Sequence, residues 1–260
     1  METVKEKIAN IGLFAGLPVA DEDSTLQAVE ALVEGKISGI LLLWSKQNFA
    51  VLEKLHSQFP NLLIGVQGPW AQVSQTLDKG ADFVVSSDIP ANELGNACLK
   101  REGDRLISWQ TGKVLADCSD KLVVSTDIEK GAWAAITSRA PTAVQEMLGF
   151  ELLHVGINNP DAETSGTVAG KFEQIFGFPK QDKGGAYFAG SYIESMKKPF
   201  YGTHGHIAIG TNYAARAVWY LQQRGVAFNW KSAGYNPDGS LRVIYLQDEI
   251  GGFAVHVLQK

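Results

Sequence analysis

Two cysteines, Cys98 and Cys118, are all the chain has, and they form no Cys-x-x-Cys pattern. Neither a disulfide framework nor a cysteine zinc site is therefore implied. Basic charge is not in excess either: 23 Lys and Arg against 28 Asp and Glu leave a formal net charge of -5. That balance argues against a nucleic-acid partner, which would want a basic face. Long apolar runs are missing. Stretches such as Gly39-Ile-Leu-Leu-Leu-Trp44 are strand-length and too short to span a bilayer, so no membrane partner is expected. The amino terminus, Met-Glu-Thr-Val-Lys-Glu-Lys, has no apolar segment behind it, so no secretory signal is visible and a cytoplasmic protein is expected. What remains is a globular composition, 45% hydrophobic and 20% charged, long enough at 260 residues for one large domain or two modest ones.

The two halves have different rhythms. In the first, apolar runs at residues 11–15, 39–43, 62–66, 82–86 and 105–109 are hydrophobic on both faces, as strands of a covered parallel sheet must be. Helical patterns at 23–34, 46–58, 71–79 and 91–101 lie between them, with Gly35 and Gly80 where C-caps are expected. The strand–helix alternation predicts an α/β parallel sheet or barrel with right-handed crossovers. A further strand at 121–125 leads into a helix at 128–147, in which Pro141 predicts a kink or break. The character changes at Leu148-Gly149-Phe150, which divides the chain into domains 1–147 and 148–260. The second half carries a weak internal repeat: a strand, a helix closed by glycine, then several short strands, twice over. Two βαβββ modules, an α+β domain, are the simplest account.

Strand alternation gives this half its chemistry. In Glu151-Leu-Leu-His-Val-Gly-Ile-Asn158, His154 shares a face with Leu152 and Gly156. In Gly205-His-Ile-Ala-Ile-Gly210, His206 shares a face with Ala208 and Gly210. In Gly252-Phe-Ala-Val-His-Val257, His256 lies beside Ala254, opposite Phe253, Val255 and Val257. Small neighbours leave room for a metal and a ligand. Glu194, in Ser191-Tyr-Ile-Glu-Ser-Met196, supplies a carboxylate at the end of the first module, and His256 takes the matching place in the second. Each histidine alone reads as a hydrogen-bonded residue on a half-exposed strand. Together, His154, Glu194, His206 and His256 form a candidate site for a divalent ion: zinc, nickel, iron(II), cobalt or manganese. His204 is the spare histidine of this half, and His56 and the cysteines are read as structural.

Leu153-His-Val-Gly-Ile and Gly205-His-Ile-Ala-Ile-Gly resemble the first and fifth strands of vicinal-oxygen-chelate enzymes of the glyoxalase type. Tyr192-Ile-Glu-Ser-Met resembles the fourth strand and Gly252-Phe-Ala-Val-His-Val the eighth. The resemblance implies a histidine from the first and fifth strands, a glutamate from the fourth, and usually a second glutamate from the eighth. His256 stands at that last position, a departure from the family. The first half resembles class I aldolases that cleave 2-keto-3-deoxy-6-phosphogluconate or 4-hydroxy-2-oxoglutarate. Ala28-Val-Glu-Ala-Leu-Val-Glu-Gly-Lys-Ile, Gly80-Ala-Asp-Phe-Val-Val-Ser and the segment from Asp127 to Met147 carry that likeness. The family's catalytic glutamate and substrate-binding arginine align with Leu41 and Ser45, and no lysine falls naturally on the Schiff-base strand; Lys121 can only be forced there.

The whole chain thus looks like a shortened fusion of the two. The resemblance implies an incomplete TIM-type barrel of about six strands, catalytically silent, whose open edges would be covered in a homo-oligomer. It also implies a metal-dependent lyase or isomerase that chelates a small 2-oxo or 2-hydroxy acid and stabilises an enediolate, with Glu194 or His256 moving a proton. The alternatives are a non-catalytic metal or ligand-binding protein and a surviving Schiff-base aldolase using Lys121.

Overall fold

The computed structural model describes residues 2–46, 48–95 and 97–260. Residue 47 of the expected helix 46–58 and residue 96 of the expected helix 91–101 lie outside the described residues. The chain divides into two compact units, Met1–Met147 and Leu148–Lys260. Among the described residues, no helix is long and apolar enough to cross a membrane.

The first unit opens with α1 (Val4–Ile11), where Thr3 and Glu6 cap each other's backbone. There follow β1 (Leu13–Pro18), α2 (Glu22–Glu34), β2 (Gly39–Leu43), α3 (Asn48–Gln58), β3 (Leu63–Gln67), α4 (Trp70–Val73) and β4 (Phe83–Val85). Then come β5 (Cys98–Glu102), β6 (Arg105–Ser108), β7 (Val114–Ser119), α5 (Ser125–Lys130) and α6 (Trp133–Leu148). Strands β1 to β5 run parallel in chain order, β6 is antiparallel to both neighbours, and β7 pairs parallel with β1. The sheet closes into a barrel of seven strands.

Several expectations need correction here. The barrel is closed rather than incomplete, and mixed rather than all parallel, because the β5–β6–β7 meander spans the gap without crossover helices. With no open edge left, the reason for a covering partner subunit is gone. The expected helix 91–101 is a 3-10 turn, Ala91–Glu93, followed by β5: Leu94 is extended, and Cys98 and Leu99 pair in parallel with Val84 and Val85 of β4. The expected strand 121–125 is a turn, since the alternating stretch Val114–Ser119 takes the place beside β1. The expected helix 128–147 is two helices. It breaks at Gly131, in the left-handed region at φ 60, and runs on through Pro141. Gly35 and Gly80 both take the C-cap positions expected of them; Gly80 is left-handed, whereas after α2 the left-handed residue is Lys36, one past the cap.

The barrel is filled. Phe14 on β1 and Phe83 on β4 are fully buried and meet edge to face, ring centroids 5.3 Å apart. Strands three places apart touch this way only through the interior. Gly39 and Gly65 make the contact feasible: a Cβ at either would stand 2.4 or 2.3 Å from the phenyl ring beside it. The register places Leu41, fully buried, on the same inward parity as Gly16 and Gly65. Above it, at the carboxyl ends of the parallel strands, Arg101 donates to Asp120 through both terminal nitrogens (3.1 and 2.7 Å) and to Gln67 (3.3 Å). The Asp120 carboxylate lies over Gly16.

The second unit holds two copies of one module. The first is β8 (Glu151–Ile157), α7 (Ala162–Phe176), β9 (Lys180–Asp182), β10 (Ala186–Ala189) and β11 (Ile193–Met196). The second is β12 (Gly205–Thr211), α8 (Ala214–Gln222), β13 (Phe228–Tyr235), β14 (Leu241–Leu246) and β15 (Phe253–Gln259). The sheet runs β13-β14-β15-β12-β8-β11-β10-β9. The two first strands meet antiparallel at the centre, and each pairs parallel with the last strand of its own module. The repeated βαβββ order is the paired-module architecture expected from the sequence.

Candidate metal centre

The four central strands bring the candidate residues to one face. Cross-strand pairs set Glu194 against Gly156, Gly156 against His206, His206 against Ala254, and His154 against Ala208, which faces His256. Partners directly opposite point the same way, so His154, Glu194, His206 and His256 share a side. The other side is fixed by a buried polar knot. Ser165 on α7 donates to the Ser195 carbonyl (2.6 Å), Ser195 returns a bond to the Ser165 carbonyl (3.0 Å), and Asn159 donates to Ser195 Oγ (3.0 Å). Ser195 is thereby committed to the helix, which turns Glu194 to the opposite face.

Three donor atoms converge. His154 Nε2 and His206 Nε2 are 3.2 Å apart, and Glu194 Oε2 lies 3.1 Å from the first and 3.0 Å from the second. Metal–ligand bonds of about 2.1 Å place neighbouring ligand atoms about 3.0–3.4 Å apart in octahedral or tetrahedral shells. The triangle fits that spacing, and within it these residues form a set that could hold an ion. Gly156 leaves the space that the His206 ring occupies, since a Cβ there would stand 2.1 Å from that ring.

His256 stands beside this triangle, its ring 5.6 Å from that of His154 and 5.3 Å from that of His206. It is buried, and among the described residues neither of its ring nitrogens has a hydrogen-bond partner; Nδ1 of His206 likewise finds none there. Two orphaned nitrogens on one buried imidazole are a cost that a bound group would remove. Burial first, then the charges of His206 and His154, push the His256 pKa down to about 3, so the ring is neutral with a lone pair free. At Glu194, burial works to raise the carboxyl, but hydrogen bonds from His154 and His206 outweigh it and bring the pKa to about 2. The charge pattern is one fixed anion among neutral-capable imidazoles, which suits a divalent cation. His204 stays outside the cluster, its ring packed at Gly252 and 5.7 Å from the Phe253 ring.

The walls were not foreseen. Tyr245 on β14 is directly opposite His256 in the register, with ring centroids 4.6 Å apart, and Tyr201 and Phe200 extend the aromatic surface at 4.7 and 6.3 Å from Tyr245. The strap carrying Phe200 and Tyr201 is pinned by Asn158, which accepts from the Phe200 N–H (3.1 Å) and donates to the Gly202 carbonyl (2.8 Å). Burial, with the Glu194 charge, pushes the Tyr245 phenol above its ordinary range, so it stays protonated. On the other side Phe188, paired with Glu194 across β10 and β11, turns its edge to His154 at 5.9 Å. The adjacent aromatics Phe200-Tyr201 were the one signal that could have pointed to a wall.

No family model and no curated protein sequence matches the chain. Among solved structures, the chain is similar to the 2-keto-3-deoxy-6-phosphogluconate aldolase of Legionella pneumophila, solved with pyruvate captured as a covalent carbinolamine. That likeness is 14% in identity and covers 54% of this chain and 97% of that one, with a TM-score of 0.46. The corresponding aldolase of Zymomonas mobilis is 15% identical over 53% of this chain and 95% of its own, with a TM-score of 0.41. The chain is also similar to the methylmalonyl-CoA epimerase of Streptomyces coelicolor, at 14% identity over 42% of this chain and 94% of that one, with a TM-score of 0.31. The chemistry of the chain rests on its own residues.

Proposed function

We propose that the carboxyl-terminal unit is a metal-dependent enzyme of the vicinal-oxygen-chelate type, a lyase or isomerase acting on a small 2-oxo or 2-hydroxy acid. The observation that carries this reading is the triangle of His154 Nε2, Glu194 Oε2 and His206 Nε2, three donors 3.0–3.2 Å from one another. Their chemistry suits zinc, nickel, iron(II), cobalt or manganese. When bound, such an ion supplies Lewis acidity to a pair of adjacent oxygens. His154 and His206 hold it through Nε2 and Glu194 through Oε2. His256, neutral and unpartnered, adds a fourth donor or takes the proton that the substrate loses. Tyr245 and Phe188 wall the cup on two sides and keep water from the reacting carbon.

The barrel, on the same reading, has no aldolase activity. Its interior is occupied by Phe14, Phe83 and Leu41, and its mouth by the Arg101–Asp120 pair. Lys121 lies exposed on the turn after β7, whereas a carbinolamine-forming lysine must be desolvated.

The test begins with elemental analysis of untagged protein, followed by proton exchange in D2O at the carbon next to the carbonyl or hydroxyl of a panel of such acids. About one ion per chain, with exchange abolished by a chelator, is the expected result. A bound ion without exchange makes the unit a binding protein, and no ion after reconstitution sinks the reading. His256→Ala assigns the fourth residue: lost metal marks a ligand, retained metal with lost exchange marks the base.

A further inference from the structure

Three lysines sit over aromatic rings of β10. Lys180 Nζ and Lys197 Nζ lie 4.5 and 4.1 Å from the centre of Tyr187, and Lys183 Nζ lies 4.2 Å from the centre of Phe188. The register divides them between the two faces of the sheet. Asp182 pairs with Tyr187 and Gln181 with Phe188, while Phe188 pairs in turn with Glu194. Alternation therefore sets Lys183 and Phe188 on the face that carries the histidine–glutamate cluster, and Tyr187 on the helix face. The lysines over Tyr187 are already engaged there: Lys197 with the Asp182 carboxylate at 2.6 Å, Lys180 with the Gly166 carbonyl of α7 at 2.9 Å. Lys183 has no carboxylate partner among the described residues. Its backbone is held in a tight hairpin, donating to the Ala186 carbonyl (3.0 Å) and accepting from Gly185 (3.0 Å). The Phe188 ring neighbours both groups, with the Lys183 ammonium 4.2 Å and the His154 ring 5.9 Å from its centre.

An exposed cation on the cluster's own face, without a carboxylate partner among the described residues and in a chain of net charge -5, can meet an anion that is part of the ligand. We propose that Lys183 recognises a second anionic group, carboxylate or phosphate, so that the acid bound at the cluster carries an anion at each end. The assignment rests on the metal-centre reading for which end of the substrate meets the cluster; the contact at Lys183 is tested separately.

Calorimetric titration of the zinc-loaded full chain compares acids that differ only at the far end: 2-oxopentanoate with 2-oxoglutarate, and 2-oxohexanoate with 2-oxoadipate. Phosphonopyruvate tells a phosphate-type anion from a carboxylate. The parent should prefer a diacid of one length, or phosphonopyruvate, by about tenfold, as one charge-assisted contact provides. Lys183→Met should erase the preference while leaving monoacid affinity and metal content unchanged, and Lys183→Arg should keep it. A preference that survives in Lys183→Met, or a parent with none for any of these probes, overturns the proposal. Elemental analysis judges the metal reading by itself. If neither parent nor variant holds an ion, the same titrations on the metal-free chain decide: a diacid preference lost in Lys183→Met supports the contact, and its absence refutes it.

Discussion

His204 and His206 lie two residues apart, and only the second belongs to the cluster. His206 is 3% exposed with Nε2 against Glu194, whereas His204 packs outside at Gly252. His206→Ala should therefore abolish metal retention and, with it, the rise in unfolding temperature on adding metal. That rise corresponds to about 2.7 kcal/mol at a hundredfold excess over Kd. His204→Ala should keep both, and equal metal retention in the two variants would show that the cup is not a metal site. The metal-free protein makes a second prediction at this scale. His256 has its pKa lowered from 6.5 to about 3, and Glu194 from 4.5 to about 2, so in each case the unfolded chain binds the proton more readily. Stability is then full above about pH 6.5 and falls as pH drops, first through the His256 window and then through that of Glu194. The His256 part amounts to roughly a few kcal/mol. Denaturant unfolding at pH 7 and pH 4.5 should show this loss in the parent and a smaller one in His256→Gln.

At the scale of elements, the strands of the second unit depend on missing side chains. Gly156 has an ordinary strand backbone, so Ala fits the conformation, yet its Cβ would overlap the His206 imidazole. Gly156→Ala should fold with near-parental circular dichroism and lose at least an order of magnitude in metal affinity; unchanged affinity would mean that the imidazole is free to move. In the barrel, Gly65→Val would drive a side chain into the Phe83 ring, and overpacking of this kind costs about 1–3 kcal/mol. Adding Phe83→Leu to it should recover part of that loss in a double-mutant cycle, and strict additivity would place the two residues out of contact. Elements with their own periodicity, such as α2 and β8, were legible within a residue or two. Residues 91–101 were not, because Cys98 and Leu99 fit a helical spacing equally well until strand pairing with β4 decides between them.

Across the whole molecule, the filled barrel and the histidine–glutamate cluster belong to different units. Incubation with pyruvate and borohydride should leave the intact mass unchanged, since the acid aligned with Leu41 is absent and Lys121 is exposed to water. A stoichiometric adduct on Lys121 would reverse the reading of the first unit. Closure of the seven-stranded barrel has a further consequence: its stability needs no partner for an unpaired edge.

The sequence by itself indicated the change of rhythm between the halves, the paired modules and the shared strand face of His154, Glu194, His206 and His256. Alternation at period two assigns a face to each side chain of a strand, and repetition shows which strands correspond. It could not determine how many strands close the first sheet, nor what surrounds the cluster. Barrel closure depends on β7 finding β1 across about a hundred residues of chain, and Phe188 and Tyr245 come beside the cluster only through the register of strands that adjoin it. Register is a relation between strands set by packing and turns, and no single strand's pattern contains it.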